Sequence, residues 1–114
     1  MAVIIGSNNE HTTVQVGDFI SQKLYTDTCV WEVIKTTEKT ITLRSTKLGQ
    51  VIRKEYVAGH PYPVVHFAVE PDPNGHVKVL RERTSVRPGY FAIYPGDPVT
   101  VVQGEPTAMV DYRY

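Results

Sequence analysis

Apolar and polar residues alternate with a period of two along much of this chain, the spacing of half-buried strands rather than helices. The pattern is clearest between residues 30 and 45. Val30-Trp31-Glu32-Val33-Ile34-Lys35-Thr36 and Thr40-Ile41-Thr42-Leu43-Arg44-Ser45 are two such runs, joined by the polar link Thr37-Glu38-Lys39. They predict a hairpin with Ile41 and Leu43 on the core face and Thr40, Thr42 and Arg44 on the other. Trp31 shares a face with Val33, so its ring is expected in or beside the core.

The same reading extends to both sides. Thr13-Val14-Gln15-Val16-Gly17-Asp18-Phe19-Ile20 predicts a strand with a bulge or bend at the glycine. Residues 51–57 predict another strand, closed by Ala58-Gly59-His60-Pro61-Tyr62-Pro63, whose prolines favour an extended connection. Val64-Val65-His66-Phe67-Ala68-Val69-Glu70 and His76-Val77-Lys78-Val79-Leu80-Arg81 read as a second hairpin across Pro71-Asp72-Pro73-Asn74-Gly75. In that reading Asn74-Gly75 supplies the positive φ angles of a tight hairpin turn. Residues 90–94 and 99–102 predict further strands, separated by Pro95-Gly96-Asp97-Pro98. Residues 109–114 predict a last edge strand or a loose end. The expected fold is all-β, a small SH3-like or related partly open barrel, with a small β-sandwich as the alternative. One domain over residues 1–114 is expected, with 1–12 and 105–114 as flexible or edge-strand termini.

A chain of 114 residues, 41% apolar, suffices for one core without staples. Cys29 is the only cysteine, which excludes an internal disulfide. The start, Met1-Ala2-Val3-Ile4-Ile5-Gly6-Ser7, lacks the positive region and long apolar run of a secretory leader. No apolar stretch approaches the roughly 20 residues that span a bilayer. These features lead to the expectation of a cytoplasmic protein with no membrane partner. Twelve basic residues balance twelve acidic ones, although residues 46–90 hold seven basic against four acidic. The whole chain therefore carries no field that draws polyanions.

The residues that could carry chemistry form no motif. His11, His60, His66 and His76 lack the close pairing or helical spacing of zinc ligands, and solvated or half-buried histidines explain them. Cys29 has neither a basic neighbour nor a motif that would make it a nucleophile, and buried free cysteines are common. The glycines fall at predicted turns and form no phosphate-binding loop. No catalytic residue, metal ligand or cofactor is assigned, and enzymatic activity ranks last among the readings.

Two surfaces remain. Lys78, Arg81, Arg83 and Arg87, followed by Tyr90, are candidate nucleic-acid contacts, since small barrels hold single strands by aromatic stacking beside basic groups. Glu82 interrupts that segment and weakens its field. Exposed tyrosines suit protein contact, because they offer large area at low entropic cost. Tyr62, between two prolines, and Tyr112 and Tyr114, near the end, are the candidates.

Val16-Gly17-Asp18-Phe19-Ile20, Trp31-Glu32-Val33-Ile34-Lys35-Thr36-Thr37 and Lys39-Thr40-Ile41-Thr42-Leu43-Arg44 follow one another in an order with parallels elsewhere. That order resembles the front half of small β-rich proteins of actinobacterial phages and their hosts, which carry a "GD", a "Y-x-V-V-x-x-T" strand and a "K-T-V-T-V-R" strand. Val77-Lys78-Val79 with residues 90–96 resembles their closing segment, with Tyr94-Pro95-Gly96 where they have Trp-Asp-Gly. The resemblance covers most of residues 14–96. It implies a phage-type accessory protein and transfers no site residue, since that family has no assigned activity. The first expectation is a non-enzymatic binding module that contacts another protein, by edge-strand pairing anchored on tyrosine. A nucleic-acid-binding barrel is the second, and a homo-oligomeric virion or assembly component the third.

Overall fold

The computed structural model describes residues 3–5, 11–23, 27–85, 88–94, 97–98, 100–102 and 104–112. Among them every regular element is a strand. In chain order these are β1 (Val3–Ile5), β2 (His11–Thr13), β3 (Phe19–Lys23), β4 (Thr28–Thr36), β5 (Thr40–Ser45) and β6 (Lys47–Glu55), then β7 (Val64–Glu70), β8 (Val77–Arg81), β9 (Ala92–Tyr94), β10 (Asp97–Pro98), β11 (Thr100–Val101) and β12 (Thr107–Asp111). The all-β class is thus present. β1 pairs with β2 and β9 with β10 in two small ribbons, while one larger antiparallel sheet runs β11-β3-β4-β12-β7-β6 with β5 and β8 branching from β4. Among the described strands this sheet stays open: its path does not return on itself to close a barrel.

The β4–β5 hairpin forms as its alternation demands, with Val33 opposite Leu43 and a bulge between Val33 and Lys35. Ile41 and Leu43 are fully buried and pack with Val14, Ile20, Val33, Leu80 and Phe91, with Trp31 and Val101 against that cluster. Thr37 Oγ1 accepts the Thr40 amide at 3.1 Å and turns the chain between the two strands. Upstream, the expected strand over residues 13–20 divides. Gly17, at φ 97°, and a bond from the Asp18 amide to the Gln15 carbonyl (3.1 Å) make a turn, and β3 starts only at Phe19.

The second expected hairpin requires correction. Both strands exist, but β7 pairs with β6 and β12, while β8 pairs with β5. The turn has a different frame from the one expected. The Gly75 amide donates to the Asp72 carbonyl at 2.9 Å, and the Asn74 amide to Asp72 Oδ1 at 3.0 Å. Asp72, Pro73, Asn74 and Gly75 then occupy the four positions of a β-turn, in which glycine comes last and has no positive φ. Such a turn sends the chain away from β7. The Ser45 amide donates to the His76 carbonyl (2.8 Å), the His76 amide donates to Ser45 Oγ (2.7 Å), and β8 continues along β5.

Two further differences shape the surface. The strand foreseen over residues 51–57 runs instead from Lys47 to Glu55, one residue after β5, and pairs with β7 through two register shifts. The segment near the end, foreseen at the periphery, is β12, which lies inside the sheet between β4 and β7. Its five residues pair with β7 from Thr107 to Asp111, and Met109 also pairs with Thr28 of β4.

Candidate protein-contact edge

β6 is nine residues long and pairs only with β7 among the described strands, so its outer edge has no partner there. Its sequence explains its position. Val51-Ile52 sits between polar runs, Gly49-Gln50 and Arg53-Lys54-Glu55, so no alternation directs one side inward. Each residue from Gln50 to Tyr62 is exposed. Leu48, Val51, Ile52, Tyr56, Val57, Tyr62 and Tyr112 are all at least 42% exposed. A long edge with apolar side chains is the feature soluble proteins normally cover or blunt. β6 is blunted in part, by its two bulges and by Lys47, Arg53 and Lys54.

The two described tyrosine candidates meet at one end of this layer. Glu55 of β6 pairs with Val64 of β7, and Val64 pairs with Asp111 of β12. The next residue, Tyr112, donates its amide to the Pro63 carbonyl at 3.1 Å. That bond places Tyr112 beside the loop that carries Tyr62, fifty positions away in the chain. Tyr56 emerges from β6 at the same end and joins them as a contact the sequence reading had not assigned. Tyr114 lies outside the described residues.

Beside these tyrosines the polar face of the layer carries a cross-strand cluster. Arg53 Nη2 is 2.7 Å from Glu55 Oε1, and His66 Nε2 is 3.2 Å from the same oxygen. Arg53 is opposite His66 in register, so the cluster ties β6 to β7. Arg53 and Glu55 are well exposed, and such a pair is worth at most about 1 kcal/mol. It holds the edge strand in place without covering its outer side.

The basic candidates do not share one face. Lys78 pairs with Leu43 and lies on the core side of β8, whereas Arg81 pairs with Thr40 and lies on the opposite side. Arg83 follows the strand, exposed, with its amide donating to the Tyr90 carbonyl at 2.9 Å. Tyr90 is half-buried next to the fully buried Phe91. Arg87 lies outside the described residues. Glu82 turns back to accept the Gly89 amide at 2.7 Å, which puts a carboxylate beside the segment.

Cys29 is half-buried, and burial raises its thiol pKa, with the Asp27 carboxylate adding to the effect. That shift suppresses the thiolate needed for nucleophilic attack. No three His, Cys, Asp or Glu side chains approach closely enough to hold a metal among the described residues. No helix among them is long and apolar enough to cross a membrane. Compared with protein-family models, curated proteins and solved structures, the chain matches none.

Proposed function

We propose that this chain is a non-enzymatic binding module that takes an extended segment of a partner protein along the outer edge of β6. The exposed tyrosines at the end of that edge act as anchors. One observation carries the reading: among the described strands, a nine-residue strand with one open edge leads into Tyr56 and the loop of Tyr62, beside which Tyr112 sits. Strand addition uses main-chain hydrogen bonds for affinity and side-chain pockets or rings for specificity. β6 carries Lys47, Arg53 and Lys54 against Glu55, so the segment it suits is acidic with apolar positions between its charges. A phage-type accessory role, as the sequence resemblance suggests, is compatible with such a module.

The test compares capture of one partner by the wild type and by surface variants, with cross-links mapped to the chain. Ile52→Asp and the double variant Tyr62→Ala/Tyr112→Ala should lose the partner and keep their unfolding midpoints, since exposed substitutions shift stability by only about 0.5 kcal/mol. Arg81→Glu/Arg83→Glu should keep the partner. Retention by the β6 and tyrosine variants, with loss in the arginine variant, would move the interface to β8. Assembly of the isolated chain into a discrete oligomer that Ile52→Asp dissolves would make the occupant a second copy.

A further inference from the structure

β4 is longer than either strand that pairs along its second edge. β5 takes that edge from Trp31 to Thr36, and β12 takes it at Thr28. At Cys29 and Val30, between the two, the sheet forks. The chain bridges the gap with Thr46, the residue between β5 and β6, whose Oγ1 donates to the Val30 carbonyl at 2.7 Å. The fork opens a cavity of about 270 Å³, whose apolar wall includes Trp31, Leu48, Ala108, Met109 and Val110, with Cys29 among them.

Trp31 divides the filled part of the molecule from this opening. It packs against the core cluster and also lines the cavity. Its indole N–H donates to Oε1 of the buried Gln22 at 3.1 Å, which fixes the ring as a preformed wall. Three of the polar side chains around the rim are engaged by main chain. Ser45 Oγ accepts the His76 amide, Thr46 Oγ1 serves Val30, and Asp27 Oδ1 accepts the Asp111 amide at 3.0 Å. Water needs two to four polar partners to occupy such a space well. An anion would meet the Asp27 carboxylate with no cation among the described lining residues.

We infer that this cavity is a binding site for a small, neutral, apolar molecule with an aromatic ring system. A cavity of roughly 150 Å³ accepts benzene, so this one has room for about two fused rings. Stacking or edge contact with Trp31 and sulfur contact with Met109 favour an aromatic guest over a branched aliphatic one. This inference stands apart from the protein-contact reading, because the cavity lies at the fork, away from the tyrosine end, and shares only Leu48 with the β6 edge.

The experiment compares 2-naphthol with 2-naphthalenesulfonate, which share their rings and differ in charge. The indole N–H resonance of Trp31, the chain's one tryptophan, reports occupancy, and the rate of Cys29 alkylation by N-ethylmaleimide reports access. The expected result is a saturable Trp31 shift and slowed alkylation with 2-naphthol. The sulfonate should bind at least about tenfold more weakly, because its charge would be desolvated without a partner. Val110→Phe, which fills the space, should abolish both effects. If that variant fails to fold, Leu48→Glu places a carboxylate at the half-exposed mouth and should weaken 2-naphthol about tenfold. No Trp31 shift at millimolar 2-naphthol, equal binding of the sulfonate, or unchanged binding in a folded filling variant would each overturn the inference.

Discussion

Replacing Gly75 with alanine separates two explanations of the Asp72–Gly75 turn. If glycine were there for positive φ, alanine would cost only backbone strain. The structure gives Gly75 no positive φ and a different constraint. A Cβ at 75 would collide with the Ser45 carbonyl oxygen and stand 2.9 Å from Ser45 Oγ and 3.0 Å from Arg44 Cγ. The carbonyl belongs to main chain held by the Ser45–His76 bonds, so it yields only by loosening the start of the β5–β8 ladder. Overpacking of this kind costs about 1–3 kcal/mol, and weakening two hydrogen bonds adds about 1 kcal/mol each at most. Alanine offsets about 0.4–1 kcal/mol by restricting the unfolded chain. The net destabilisation is about 2 kcal/mol, or roughly 8 °C in Tm at about 4 °C per kcal/mol for a chain of this length. Urea unfolding followed by Trp31 fluorescence and far-ultraviolet circular dichroism measures it. Gly59→Ala is the control, with φ +86° and no atom near the added methyl. It should lose only about 1 kcal/mol. A Gly75→Ala variant as stable as the wild type, or more so, would refute the close-approach argument and the β5–β8 pairing beneath it.

Ile41→Asp should abolish cooperative unfolding, because it buries an unpaired charge in the fully enclosed cluster at a cost of at least about 4 kcal/mol; a retained sharp urea transition would contradict that. Cys29 links stability to pH. Its thiol pKa is raised in the folded state by burial and then by Asp27, so above the unfolded thiol pKa, near 8.5, the unfolded chain holds fewer protons than the native one. The contribution from Cys29 is complete below that pH and declines as pH rises through the folded value. Cys29→Ala should flatten the alkaline side of the stability profile, and an unchanged slope would remove the linkage. In native protein at pH 8 the thiol should also alkylate more slowly than in urea.

Much of the strand content was legible locally. Val33, Ile41 and Leu43 sit where alternation put them, because the pleat sends successive side chains to opposite faces whatever the strand pairs with. Trp31 is beside the core for the same reason. Tyr62 and Tyr112 were legible as exposed rings, each from its own surroundings. Their convergence was not legible, since it depends on the Tyr112 amide reaching the Pro63 carbonyl after β12 has paired with β7. The basic segment shows the converse. Lys78 and Arg81 are close in the chain, but an odd spacing on a strand sends them to opposite faces.

Local sequence therefore decided which segments extend, which side chains seek the interior and where the chain turns. Tertiary structure decided which edge each strand joined. Sequence separation discriminates poorly between such partners, because doubling a loop costs only about 0.6 kcal/mol. β8 left its neighbour β7 for β5, more than thirty residues back, because the Asp72–Gly75 turn breaks the chain there and Ser45 receives it. Once that pairing and the insertion of β12 were set, β6 was left as an open edge among the described strands and the fork at Cys29 and Val30 as a cavity. Neither feature is a property of any one segment, because each is made by the edges of several strands meeting or failing to meet.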